Sequence, residues 1–139
     1  MRQEFFNLEI NTNGQKLYEF TNETKKWIKQ NDFGNGILNL NIQHTSASLI
    51  VQENADPDVQ TDLINYFNNL APMDNKLYIH NAEGKDDMPA HIKSALTNNQ
   101  ISLSVRNGTL LLGTWQGIYL FEHRLKDHTR TIIHHYLGD

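Results

Sequence analysis

Phe6, Leu8 and Ile10 alternate with Asn7 and Glu9, the period-two pattern of a half-buried strand. Asn13-Gly14 offers a turn into Gln15–Phe20, so the chain is expected to open with a hairpin. Thr21 can cap a helix from about 22 to 30, and the glycines of Asp32–Gly36 would end it before a buried strand at Ile37–Ile42. The clearest helix starts at Asp56, an N-cap with Pro57 at the first helical position. Val59, Leu63, Tyr66, Phe67 and Leu70 form its apolar face, and Pro72 lies just beyond its end. A short strand is expected at Leu77–Ile79, and Pro89 favours a third helix through Leu96. The rest reads as β-structure: Ile101–Val105, an Asn107-Gly108 turn, Thr109–Leu112, Ile118–Glu122 and Thr131–Leu137. Strands outnumber helices, which predicts an α+β fold, a small, mainly antiparallel sheet or sandwich with two to three helices.

Length and composition narrow the picture. A chain of 139 residues suits one domain, 1–139, and no internal repeat or Pro/Gly/Ser linker divides it. No apolar run approaches the roughly 18 residues that span a bilayer, and MRQEFFNLEI lacks the apolar segment of a signal peptide. No membrane association and a cytoplasmic location are therefore expected. With no cysteine, disulfides, thiolate nucleophiles and cysteine-ligated metals are excluded, so any transition metal must use histidine or carboxylate. A net charge of −4 with scattered lysines gives no basic stripe and argues against nucleic acid, while leaving a small anionic substrate open.

Candidate chemistry gathers at element ends. His44 closes a predicted strand, His80 follows another, and His91 lies in the first turn of a helix, with a carboxylate-rich loop between the last two. Three imidazoles plus an open position describe a catalytic zinc site. Their spacings of 36 and 11 residues match no local metal motif, so three separate polar or capping histidines are the alternative. Thr45, Ser46 and Ser48 offer hydroxyls to an anion or, equally, to a turn backbone. Glu53 and Asn54 precede a helix start, where Glu53 is a candidate general base or a carboxylate that orients a histidine. The glycines of Gly113–Gly117, flanking Trp115 and Gln116, imply a bulge or a close approach of ligand or neighbouring subunit. Glu122 and Arg124 share one side of a strand end, where Arg124 suits a phosphate or a surface ion pair with Glu122. His123, His128, His134 and His135 read as surface residues.

HTSASLIVQENADPDVQTDL, YIHNAEGKDDMPAHIKSAL and GTWQGIYLFEHR, in that order through nearly the whole chain, strongly resemble the YjbQ-like family, named for secondary thiamine-phosphate synthase activity. The resemblance implies a small β-sandwich with helices that assembles as a homotrimer around a threefold axis. It also implies that His44, His80 and His91 gather around a divalent metal ion near a subunit boundary. By motif it picks out Glu53 and Asn54, Trp115 and Gln116, and Glu122 and Arg124 as further site residues. The expected function is then a metal-dependent enzyme with thiamine-phosphate synthase-like activity on a small phosphorylated substrate. In it Arg124, Ser46 and Ser48 would hold the anionic group and Glu53 would move protons. The alternatives are a metal-dependent hydrolase and a non-catalytic trimer that binds a metal or anion. Three imidazoles suit zinc first, with magnesium or manganese as alternatives.

Overall fold

The structure, a computed structural model, describes residues 1–139. Eight strands form two antiparallel sheets. The larger holds β1 (Arg2–Asn13), β8 (Asp127–Gly138), β3 (Gly36–Ile42), β5 (Gln100–Arg106) and β6 (Thr109–Leu110) in that spatial order. The smaller holds β2 (Lys16–Glu19), β7 (Gln116–Glu122) and β4 (Ala47–Glu53), also in spatial order. Their facing surfaces make the core: Leu38, Leu40, Ile132 and Tyr136 from one sheet meet Leu49, Ile118 and Leu120 from the other. Each such aliphatic side chain withdrawn from water contributes about 1.5–3 kcal/mol. Helix α1 (Thr21–Gln30) adds Ile28 to this core, beside Phe20 and Phe33. Helix α2 (Pro57–Leu70) lays Leu63, Ile64 and Phe67 on the outer face of the small sheet, against Leu17, Tyr119 and Phe121. Helix α3 (Asp87–Leu96) packs beside β4. The fold is thus α+β with mainly antiparallel sheets and three helices, as its strand-rich sequence implies.

Several local expectations change. The opening hairpin does not form: β1 pairs with β8 and β2 with β7, so the turn at Gly14, with φ of +104°, carries the chain from one sheet to the other. Thr21 does not cap α1 through its side chain. Its hydroxyl donates to Glu19 Oε2 and accepts from the Ile118 amide. Residues 47–53, which carry no helical or turn signal, form β4. Leu77–Ile79 is not a strand: Asn75–Leu77 is a single 3-10 turn, and no neighbouring strand reaches Ile79, which is fully exposed. Asp56 does cap α2, its Oδ1 accepting from the Asp58 amide at 2.9 Å. No helix is long and apolar enough to cross a membrane.

Candidate metal centre

The segment after the 3-10 turn runs without regular structure to α3, and the first turn of that helix returns beneath it. Asp87 and His91 are four residues apart, so they project from one helical face. His80 descends from the loop above. His80 Nε2 lies 2.7 Å from Asp87 Oδ2, and His91 Nε2 lies 3.3 Å from the same oxygen. The two imidazole centroids are 5.5 Å apart. One ligand atom from each of the three residues can be chosen so that all lie within 4.8 Å of one another.

The far side of each of two ligands is tied down. His91 Nδ1 is 2.8 Å from the Thr45 carbonyl oxygen, which can only accept, so Nδ1 carries a proton and Nε2 is the atom turned to Asp87. A cation held between Nε2 and Oδ2, or a proton on Nε2, satisfies both atoms. Asp87 Oδ1 accepts from Arg124 Nη1 at 2.6 Å, leaving Oδ2 for the histidines. Burial alone would raise the Asp87 carboxyl, but the hydrogen bond from His80 and the charge of Arg124 hold it below the ordinary carboxylate range. Asp86, also buried, takes Arg124 Nε and the Leu125 amide on Oδ2, each at 2.9 Å. Arg124 Nη2 donates to the Glu83 carbonyl at 2.9 Å. Gly84 makes this packing possible: its φ is +107°, and a Cβ there would stand 2.9 Å from Asp86 Oδ1. Two imidazoles and a carboxylate suit zinc, manganese or iron(II) and leave further positions open. Glu83 Oε2, 3.6 Å from His80 Nε2, is a second carboxylate within reach.

Of the three histidines expected together, the structure joins His80 and His91 and leaves His44 outside their cluster. The Thr131 amide donates to His44 Nε2 at 2.8 Å, so that lone pair is used and the proton sits on Nδ1, 3.4 Å from Arg130 Nη1. Burial and the Arg130 charge lower its pKa and keep the ring neutral. The turn it begins still serves the centre, because Thr45 supplies the carbonyl that orients His91.

The other expected site residues lie elsewhere. Ser46 is buried and accepts from Arg130 Nη2 at 3.1 Å. Ser48 is fully buried between His123 Nε2, at 2.9 Å, and Thr97 Oγ1, at 2.6 Å. Glu122 is not a surface partner of Arg124: it is fully buried, paired through both oxygens with Arg130 and bonded to Thr12. Its carboxyl stays below the ordinary range because those bonds outweigh the burial that opposes them. His123 and His134, read as surface residues, are also fully buried. Glu53 ends β4, about 20 Å from Ala47 at the start of that strand by strand rise, on the side away from the centre. Its backbone register places it opposite Gln116, whose Oε1 accepts the Gly113 amide in the turn that exposes Trp115. Asn54 lines a separate cleft of about 630 Å³ with Glu19, Gln60 and Tyr119. Asp87 and Asp86 were missed by the sequence reading, although the Asp87/His91 spacing of one helical turn was the available signal.

Residues 6–139 match the family model described as UPF0047 protein YjbQ-like. The UPF0047 protein sll1880 of Synechocystis is 47% identical over 132 residues, covering 95% of this chain and 90% of that protein. The UPF0047 protein YugU of Bacillus subtilis is 34% identical, over 80% of this chain and 82% of its own. Among solved structures, the conserved hypothetical protein TT1486 of Thermus thermophilus is 31% identical with a TM-score of 0.82, over 92% of this chain and 97% of that one. A YbjQ-like protein of unknown function from Sulfolobus solfataricus shares the fold at 20% identity and a TM-score of 0.86, over 99% and 100% of the two chains.

Proposed function

We propose, for a chain that belongs to the UPF0047 YjbQ-like family, a metal-dependent enzyme whose divalent ion is held by His80, Asp87 and His91. The observation that carries this reading is the pairing of His91 Nε2 with Asp87 Oδ2 while Thr45 and Arg124 occupy the opposite atoms of both residues. An ion of the zinc type bound there would supply Lewis acidity, polarising a carbonyl or acidifying a water molecule. The chain's own groups do the rest. Arg124 keeps Asp87 ionised and oriented, and Thr45 fixes the His91 tautomer. Glu83, exposed on the loop beside His80, is the nearest free carboxylate to accept a proton from a nucleophile at the centre.

Hydrolysis of a small polar substrate is the reaction this arrangement favours. Thiamine-phosphate synthase-like transfer needs basic groups for a diphosphate leaving group. Here Arg124 is bonded to Asp86 and Asp87, and Arg130 to Glu122. The reading includes a homotrimer in the cytoplasm, supported for assembly by the exposed Tyr66, Leu70, Leu77 and Ile79 of α2 and the segment after it. Metal content by mass spectrometry on untagged protein tests the centre. About one ion per chain in the wild type, lost in His80→Ala and His91→Ala, is expected; an unchanged ion in both variants overturns it. Multiple turnovers of any hydrolysed substrate by the zinc-loaded wild type, absent in His91→Ala, would separate an enzyme from a metal-binding trimer.

A further inference from the structure

Behind His91, on the side away from Asp87, α3 and the turn before β4 border an open cavity of about 280 Å³ lined by His44, Thr45, His91, Ser94, Ala95 and Asn99. None of the six is a carboxylate, a lysine or an arginine. Ser94 Oγ is buried with no hydrogen-bond partner, although a buried hydroxyl ordinarily has one. Asn99 adds an amide that can both donate and accept. The charges that border this region are matched within the protein. Arg130 is almost wholly buried and gripped by both oxygens of Glu122. Arg124 sits between Asp86 and Asp87. Its remaining nitrogen donates to the Glu83 carbonyl oxygen. Lys85, the loop's other cation, is exposed to water and screened. Lys93 is turned inward to Asn68.

We infer that this cavity receives the uncharged polar end of the substrate, an amide-like group that both donates and accepts hydrogen bonds, with Ser94 and Asn99 as its specificity determinants. The inference rests on the metal-centre reading for its catalytic meaning and narrows the substrate class: the group lodged behind the His91 ring is neutral. A phosphate placed there would meet neutral donors and no free guanidinium to pair with.

Backbone amide NMR on the metal-free full chain tests this, with 2-pyrrolidinone as the neutral probe and inorganic phosphate at matched ionic strength as the anionic one. The lactam is expected to shift the amides of Thr45, Ser94, Ala95 and Asn99 saturably, while phosphate leaves them in place. Ala95→Leu, which fills the cavity from an exposed helix position, should abolish those shifts, and Ser94→Ala should weaken the lactam about five- to tenfold. Phosphate moving the same amides at lower concentration than the lactam overturns the inference. So does a lactam that moves none of them, or one whose shifts survive unchanged in Ala95→Leu. Zinc titration by calorimetry is run beside it on the wild type and His91→Ala. Lactam shifts without zinc binding would sink the metal centre and leave the cavity's preference standing, whereas zinc binding without lactam shifts does the reverse.

Discussion

Asp87 and His134 show how one side chain acquires its role from what opposes it. Asp87 is held by Arg124 on one oxygen and turned toward two imidazoles with the other, so Arg124 acts on the centre through Asp87. Arg124→Gln is expected to lower zinc affinity about 10- to 100-fold, the usual cost of losing a group that orients a ligand. Calorimetric titration checks it, and an affinity equal to wild type would sink the positioning role. His134 is sealed among Phe6, Phe20 and Trp27, its Nε2 2.9 Å from Thr24 Oγ1. That hydroxyl already donates to the Phe20 carbonyl, so the imidazole must donate here. Burial lowers its pKa to about 4, and burial lowers that of His123 to about 3. Below pH about 6.5 the unfolded chain takes up protons that these folded histidines refuse. Stability conferred by their neutral forms is therefore full above pH 6.5 and lost as pH falls toward 4, by about 1.4 kcal/mol per pH unit for each group. Urea unfolding at pH 7.5, 6 and 5 should show this decline, and His134→Gln should make it shallower. An identical slope in the variant would refute the assignment.

Elements whose causes are local were legible in the chain, and those decided by distant partners were not. The Asp56-Pro57 start of α2 and the Asn107-Gly108 turn between β5 and β6 stand where capping and turn chemistry put them. β4 escaped because it is enclosed from both faces: Leu49 enters the main core and Ile50 packs beneath α2, so alternation is lost. The hairpin expected at Asn13-Gly14 failed because β8 and β7 outcompete β2 and β1 as partners, a choice no turn dipeptide encodes. The centre was half legible in the same way. His80 and His91 lie close along the chain, but the hydrogen bond that occupies His44 comes from Thr131 of β8, 87 residues away. Asp56→Ala should cost about 1 kcal/mol of stability by denaturant titration, since it leaves the Asp58 amide uncapped. Gly36→Ala should cost more, about 1–3 kcal/mol, because a new Cβ would collide with the Leu137 carbonyl and Gly138 Cα across the sheet. A smaller loss for Gly36→Ala than for Asp56→Ala would show that β3 and β8 yield more easily than their backbone contact implies.

At the scale of the molecule, the small sheet and the large one differ in what covers their outer faces. The small sheet is roofed by α2, yet none of that helix's residues is fully buried, and Tyr66 and Leu70 remain more than half exposed. Leu77 is 58% exposed and Ile79 fully so, just ahead of His80. Apolar side chains concentrated on a helix and the loop that follows it mark a surface that associates. In the proposed trimer this surface is covered by a second copy, which adds apolar support to the loop that carries His80. Ile79→Asp is therefore expected to dissociate the assembly, read by sedimentation, and to lower zinc affinity in parallel although residue 79 is not a ligand. His91→Ala should abolish zinc binding and leave the sedimentation coefficient unchanged, because its ring faces Asp87 and Thr45 of its own chain. A wild type that sediments as a monomer would remove the trimer from the reading. A dissociated Ile79→Asp variant with unaltered zinc affinity would instead show that each chain builds its centre alone.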